Sequence, residues 1–273
     1  MQRKQFKFRG ATIHYEVGGS GEPVMLIHGF AENGGIWQYQ RAFLKSHYRL
    51  LIPDLPGSGL SDALSLTGEE VNNAIEWYAE CMKQLLDIES IEQCTLLGHS
   101  MGGYVALAFA TRFPSGLRAL GLVHSTAFAD SADKKELRKK GISFIQRFGS
   151  QEFLKQSIPN LFGEKYKRRH PEEISALLKT ADDFKEDDLI QYYLGMMNRP
   201  DRTGLLKNIA APVLFIMGEE DKSVSLEDSL KQCWLPSRVL INILPETAHM
   251  GMWEEKDQVN ETIMEFLKYV SDA

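Results

Sequence analysis

The chain has 273 residues, 43% of them hydrophobic, and a formal charge of −6. That is enough for one large core with room for an insertion, and the acidic balance disfavours nucleic acid or an anionic membrane surface as partner. The three cysteines, Cys81, Cys94 and Cys233, form neither a disulfide frame nor a zinc pattern. No apolar run approaches the ~18 residues of a membrane span, so the expected setting is the cytoplasm and the expected partner a small molecule.

Residues 6–17 alternate apolar and polar around Gly10 and predict an antiparallel hairpin. Residues 24–27 are a short, fully apolar run, the mark of a buried parallel strand. A helix is predicted over 36–46, a strand over 49–54, and a long helix over 69–86 with Thr67 as its cap. Strand 95–99 is followed by helix 101–113, which Pro114 stops. Further strands are predicted at 120–124, 213–217 and 239–244, and a closing helix at 259–270. Buried strands alternating with helices imply an α/β fold, a mostly parallel sheet of about eight strands with helices on both faces.

The alternation stops between residues 127 and 205. That stretch shows helical patterns at 136–148, 151–157, 172–180 and 187–197 and no strand signal. It carries about 15 Lys and Arg against about 13 Asp and Glu, a net of about +2 in a chain that is −6 overall. The expected organisation is a core of residues 1–126 and 206–273 and a helical lid of residues 127–205 over the carboxyl ends of the strands, where open α/β sheets bind ligands.

Gly98-His99-Ser100-Met101-Gly102-Gly103 joins a strand to a helix. A serine with glycine two residues away on each side at such a junction is a nucleophile elbow. The turn is strained and tight, side chains at the flanking positions would strike backbone, and the hydroxyl is left at a helix N-terminus. Serine needs a base, and His249 lies just past the last strand, at the sheet edge that also carries Ser100. His14 and His47 are wrongly placed for that edge, and His170 falls in the expected lid. Asp221, beyond strand 213–217, is the acid chosen to orient His249, with Glu219 and Glu220 as local rivals. The backbone N–H groups of Met101 and of Phe30, in the loop after strand 24–27, are the expected oxyanion donors.

His28-Gly29-Phe30, the serine elbow, Gly218…Asp221 and Ala248-His249 together resemble the α/β-hydrolase superfamily. The resemblance spans nearly the whole chain, and the order Ser, Asp, His matches it. Residues 53–62 resemble the superfamily's loop after the fourth strand, with Ser58 where many members carry histidine. Members that open epoxides or displace halide use an aspartate nucleophile, which Ser100 excludes. Proline iminopeptidases typically have tryptophan where Met101 stands. Carbon–carbon hydrolases of ring-cleavage products often have asparagine where His99 stands, and cofactor-free haloperoxidases, esterases with perhydrolase activity, show very similar elbows. The main expectation is a serine hydrolase of small or medium carboxylic esters that works through an acyl-enzyme on Ser100 and loses activity on the acid side as His249 protonates. The alternatives are a carbon–carbon bond hydrolase with the same triad, a perhydrolase, and a ligand-binding signalling protein that retains the triad.

Trp37, His124 and Phe128 are the expected pocket residues, chosen from a set that also includes Tyr104 and Trp253. No cofactor is expected, since Gly57-Ser58-Gly59 lacks the third glycine and the helix of a dinucleotide loop. No metal is expected either, because no His/Asp/Glu group has ligand spacing in the sequence. The basic run 165–170 reads as solvated surface.

Overall fold

The computed structural model describes residues 1–180 and 184–272; residues 181–183, inside the expected lid, and 273 lie outside the described residues. One eight-stranded sheet runs in the order β1-β2-β4-β3-β5-β6-β7-β8. The strands are β1 (Gln2–Phe8), β2 (Ala11–Gly18), β3 (Pro23–Ile27), β4 (Arg49–Pro53), β5 (Cys94–His99), β6 (Leu117–Val123), β7 (Val213–Gly218) and β8 (Val239–Leu244). The β1–β2 and β2–β4 pairs are antiparallel. Every pair from β4–β3 to β7–β8 is parallel. The predicted hairpin is therefore the antiparallel end of the sheet. Its turn places both Arg9 and Gly10 at positive φ, 49° and 86°, which matches the twist of a two-residue hairpin.

Burial follows position in the sheet. Every residue of β5 and β7 is buried, as expected for central parallel strands covered on both faces. β8 closes the far edge and leaves Val239 and Ile243 exposed. The parallel strands point their carboxyl ends the same way, so the loops after β3, β5, β6, β7 and β8 gather at one rim.

The helix predicted over 69–86 is two pieces, Glu69–Asn72 and Ala74–Ile88. Asn73 interrupts it: its side-chain amide donates to the Glu69 carbonyl at 3.2 Å, competing with the helical ladder. The Thr67 hydroxyl does not cap it; the backbone N–H of Thr67 instead donates to Glu70 Oε2 at 3.3 Å. Residues 36–46 begin as a 3₁₀ turn, Gly34–Trp37, before the helix Gln38–Leu44. Between β6 and β7 the described residues form helices and no strand, among them Ala132–Phe148, Ser150–Ser157, Pro171–Thr180 and Glu186–Asn198. Cys81, Cys94 and Cys233 are buried free thiols. Among the described residues no helix is long and apolar enough to cross a membrane.

Candidate active site

The elbow has the strain its glycines imply. Ser100 sits at φ 48°, ψ −115° between β5 and the helix Met101–Arg112. A Cβ on Gly98 would lie 2.3 Å from the Gly102 carbonyl, one on Gly102 2.2 Å from the Ile27 oxygen, and one on Gly103 2.2 Å from Ser125 Oγ. Real Cβ atoms do not come so close, so the tightness of the turn selects glycine here. The Ser100 amide donates to the Val123 carbonyl at 3.0 Å, and the Ser125 hydroxyl donates to the Ser100 carbonyl at 2.7 Å. The end of β6 and the residues just after it thus hold the turn from both sides.

The loops after β7 and β8 bring Asp221 to His249. Asp221 Oδ2 lies 2.8 Å from His249 Nδ1, and Asp221 Oδ1 accepts the N–H groups of Ser223 and Val224 at 2.8 and 2.9 Å. Burial alone would raise this carboxyl. The neighbouring His249 and the imidazole hydrogen bonds outweigh burial and hold it well below the usual carboxylate range. Glu219 and Glu220 are exposed, and Glu219 accepts the Glu246 N–H instead. The His249 backbone is fixed at both ends: its N–H donates to the Leu161 carbonyl at 2.9 Å, and its carbonyl lies 3.0 Å from His99 Nε2.

Ser100 and His249 line one cavity of about 610 Å³, together with Phe30, Tyr104, Phe144, Phe153, Leu161 and Tyr193. Among the described residues the Ser100 hydroxyl and His249 are not hydrogen-bonded to each other, an open arrangement of the kind that tightens when substrate binds. Phe30 N–H has no protein acceptor among the described residues, and Met101 is the first residue of its helix, where an N–H has no intrahelical partner. Both expected oxyanion donors are therefore free. Lys134, Arg138, Lys140 and Lys222 also line the cavity, and its wall carboxylate, Glu32, is turned to His99. A larger groove of about 1030 Å³ lies elsewhere, between residues such as Asn33, Asp54 and Asp188, and includes neither Ser100 nor His249.

None of the three expected pocket residues lines this cavity. Trp37 is fully buried and meets the His99 ring edge-on, with centroids 6.5 Å apart. Phe128 is half-buried, and its backbone is tied to Thr126 and Arg199. His124 lies beneath Asp221, with Nδ1 3.2 Å from Asp221 Oδ2. Of the wider set Tyr104 reaches the cavity, whereas Trp253 is tied to the Ile36 carbonyl. Much of the wall comes instead from the region between β6 and β7, whose packing has no trace in local spacing.

Two groupings have no sequence signal. His99 Nδ1 lies 2.9 Å from Glu32 Oε2, which also accepts the Gly29 N–H at 2.6 Å. Burial opposes charge on both, yet Glu32 holds the His99 imidazole above its ordinary value and His99 holds the Glu32 carboxyl below its own, so the two form a buried ion pair. His124, Asp221 and His249 converge with their polar atoms within 4.8 Å, a metal-like grouping that sequence spacing does not show. Hydrogen bonding accounts for it. His124 Nε2 faces the Gly251 N–H at 3.2 Å, and that partner can only donate, so Nδ1 carries the ring proton toward Asp221.

The chain is 28% identical to a 2-hydroxy-6-oxononadienedioate/2-hydroxy-6-oxononatrienedioate hydrolase of Paraburkholderia phymatum, over 93% of this chain and 90% of that protein. It is 27% identical to a 2-hydroxy-6-oxo-6-phenylhexa-2,4-dienoate hydrolase of Comamonas testosteroni, over 94% and 91%. Its structure superposes on that of a thermophilic esterase from Thermogutta terrifontis with a TM-score of 0.90 and 29% identity, covering 99% of both chains. An enol-lactonase from Burkholderia xenovorans shares the fold, with a TM-score of 0.88 at 20% identity over 97% of this chain and 100% of that one. With residues 22–256 matching the family model for the alpha/beta hydrolase fold, the chain belongs to the α/β-hydrolase family.

Proposed function

We propose that Ser100, His249 and Asp221 act as nucleophile, base and orienting acid, with the N–H groups of Phe30 and Met101 holding the oxyanion. We further propose that the substrate is an acidic ketone cleaved at the carbon–carbon bond beside its carbonyl. The observation that carries this reading is the shared cavity: Ser100 and His249 meet in a space lined by Lys134, Arg138, Lys140 and Lys222, with the wall carboxylate Glu32 turned away to His99. Such walls favour a carboxylate, the group that the dienoate names of two relatives carry. Residues 127–205 serve as the lid, since Phe144, Phe153, Leu161 and Tyr193 all come from them.

Ser100 Oγ attacks the carbonyl carbon while His249 Nε2 takes the hydroxyl proton, and the carbonyl oxygen becomes the oxyanion. Collapse of this adduct breaks the carbon–carbon bond. The electron pair leaves on a carbon stabilised as an enolate, and the His249 imidazolium protonates it. Water, deprotonated by His249, then attacks the acyl-serine, and the proton returns to Ser100 Oγ. Asp221 keeps the His249 tautomer and offsets the imidazolium charge.

The likeness to the Thermogutta esterase supports a second reading, in which the leaving group is an alcohol and the same residues keep their roles. The two are separated by assaying 2-hydroxy-6-oxo-6-phenylhexa-2,4-dienoate beside aryl esters of increasing acyl length. The first reading expects the dienoate to lead by ~100-fold or more in kcat/KM, a lead of the esters supports the second, and Ser100→Ala lowers whichever is turned over by ~10³-fold or more. Undiminished turnover by Ser100→Ala, or no covalent uptake of a fluorophosphonate by the wild type, overturns both.

A further inference from the structure

His124 is a buried polar residue that faces neither the cavity nor solvent. It follows β6 in the left-handed region, at φ 48°, an uncommon place for a non-glycine residue that surrounding structure must hold. Both ring nitrogens are engaged. Nε2 accepts the Gly251 N–H at 3.2 Å, two residues past His249, and Nδ1–H donates to Asp221 Oδ2 at 3.2 Å. His249 Nδ1 reaches the same oxygen at 2.8 Å. The fit leaves no slack, for a Cβ on Gly251 would lie 2.4 Å from His124 Nε2.

Resting on the triad reading above, we propose that His124 is a positioning residue: its Nδ1–H takes up part of the charge of Asp221 Oδ2, limiting how tightly that carboxylate holds the His249 imidazolium and carrying activity to lower pH. An oxygen with two donors offers less negative charge to each, so removing one strengthens its grip on the other. Burial, above all, pushes His124 down to about 4, so it stays neutral and keeps this tautomer across the working range. The other charged groups facing His249 are accounted for. Glu32 and His99 form a pair of no net charge, and Glu254 spends its oxygens on the N–H groups of Gly163, Ala248 and Met250. Lys222 lies on the cavity wall. His124 alone among them donates to Asp221 Oδ2.

Two substitutions divide its bonds. Asparagine places an N–H donor near the Nδ1 position and nothing at Nε2; glutamine reaches the Nε2 position and puts no donor at Nδ1. The rate of Ser100 phosphonylation by a fluorophosphonate is followed against pH, with kcat/KM beside it on whichever of the dienoate and aryl esters the wild type turns over. In His124→Gln the acid limb moves to higher pH by ~0.5–1 unit, a 3–10-fold loss on that limb, while His124→Asn has a lower plateau and a wild-type limb. Limbs that coincide in all three proteins, or that move equally in both variants, overturn the proposal. Should a variant fail to fold by circular dichroism, nitrogen NMR of histidine-labelled wild type gives an independent answer: a neutral His124 protonated at Nδ1 down to about pH 5 is expected, and a ring protonated at Nε2 overturns the proposal. This measurement does not depend on turnover, and absent phosphonylation of the wild type would count against the triad reading instead.

Discussion

Single residues at the rim show how little tolerance the elbow has. A methyl group on Gly102 would meet the Ile27 and His28 carbonyl oxygens at 2.2 and 2.6 Å, and backbone cannot rotate aside as a side chain can. Gly102→Ala is expected to cost at least ~3 kcal/mol, measured by denaturant melts. Gly204, in the helix Thr203–Asn208, has nothing within 4 Å of its Cβ position, so Gly204→Ala should be neutral or stabilising by up to ~1 kcal/mol. His28 and His124, buried and neutral, give stability a pH dependence. Burial lowers both below the ordinary value of 6.5, so the unfolded chain takes up their protons first as pH falls. Stability should therefore fall from about pH 6.5 to about 4, with His124 contributing on the order of 3 kcal/mol. Thermal melts of wild type and His124→Asn across that window check this, and the variant should show the shallower decline.

At the scale of elements, the Glu32–His99 pair ties three rim segments together. Glu32 holds the Gly29 amide in the loop after β3, His99 ends β5, and His99 Nε2–H reaches the His249 carbonyl in the loop after β8. The proposed oxyanion donor at Phe30 and the proposed base, His249, are thus referred to one buried pair close to Ser100. Glu32→Gln and His99→Gln should each lower kcat by ~10–100-fold with KM within ~3-fold, and the double variant should lose less than the product of the two. Element types were legible from local pattern: the hairpin, the apolar strands and the elbow stand where periodicity puts them. The helix expected over 69–86 is two pieces because Asn73 breaks it through one side-chain hydrogen bond that a helical spacing rule does not weigh.

Across the whole molecule, the helices between β6 and β7 are fastened to the rim that carries Ser100 and His249 at several points. Leu161 accepts the His249 N–H, Gly163 donates to Glu254, and the Tyr192 hydroxyl donates to the Pro56 carbonyl at 2.8 Å. Phe30 stacks on Tyr193 with centroids 4.5 Å apart, joining the loop after β3 to the helices between β6 and β7. Among those helices, Asp130 takes Arg138 at 2.5 Å and Arg199 at 2.7 Å. Asp130→Ala leaves both guanidinium groups without their partner and should destabilise by roughly 3–5 kcal/mol. Because Arg138 lines the cavity, substrate KM should rise in the same variant. Melts and steady-state kinetics read the two effects separately. The sequence by itself determined the sheet, the placing of Ser100, Asp221 and His249 at one rim, and the glycines of the elbow, because strand burial, chain order and steric exclusion act over a few residues. Tertiary structure decided the cavity walls, the Glu32–His99 pair and the second imidazole on Asp221. The last two join residues 67 and 97 positions apart, and their energies depend on distances that no local pattern encodes.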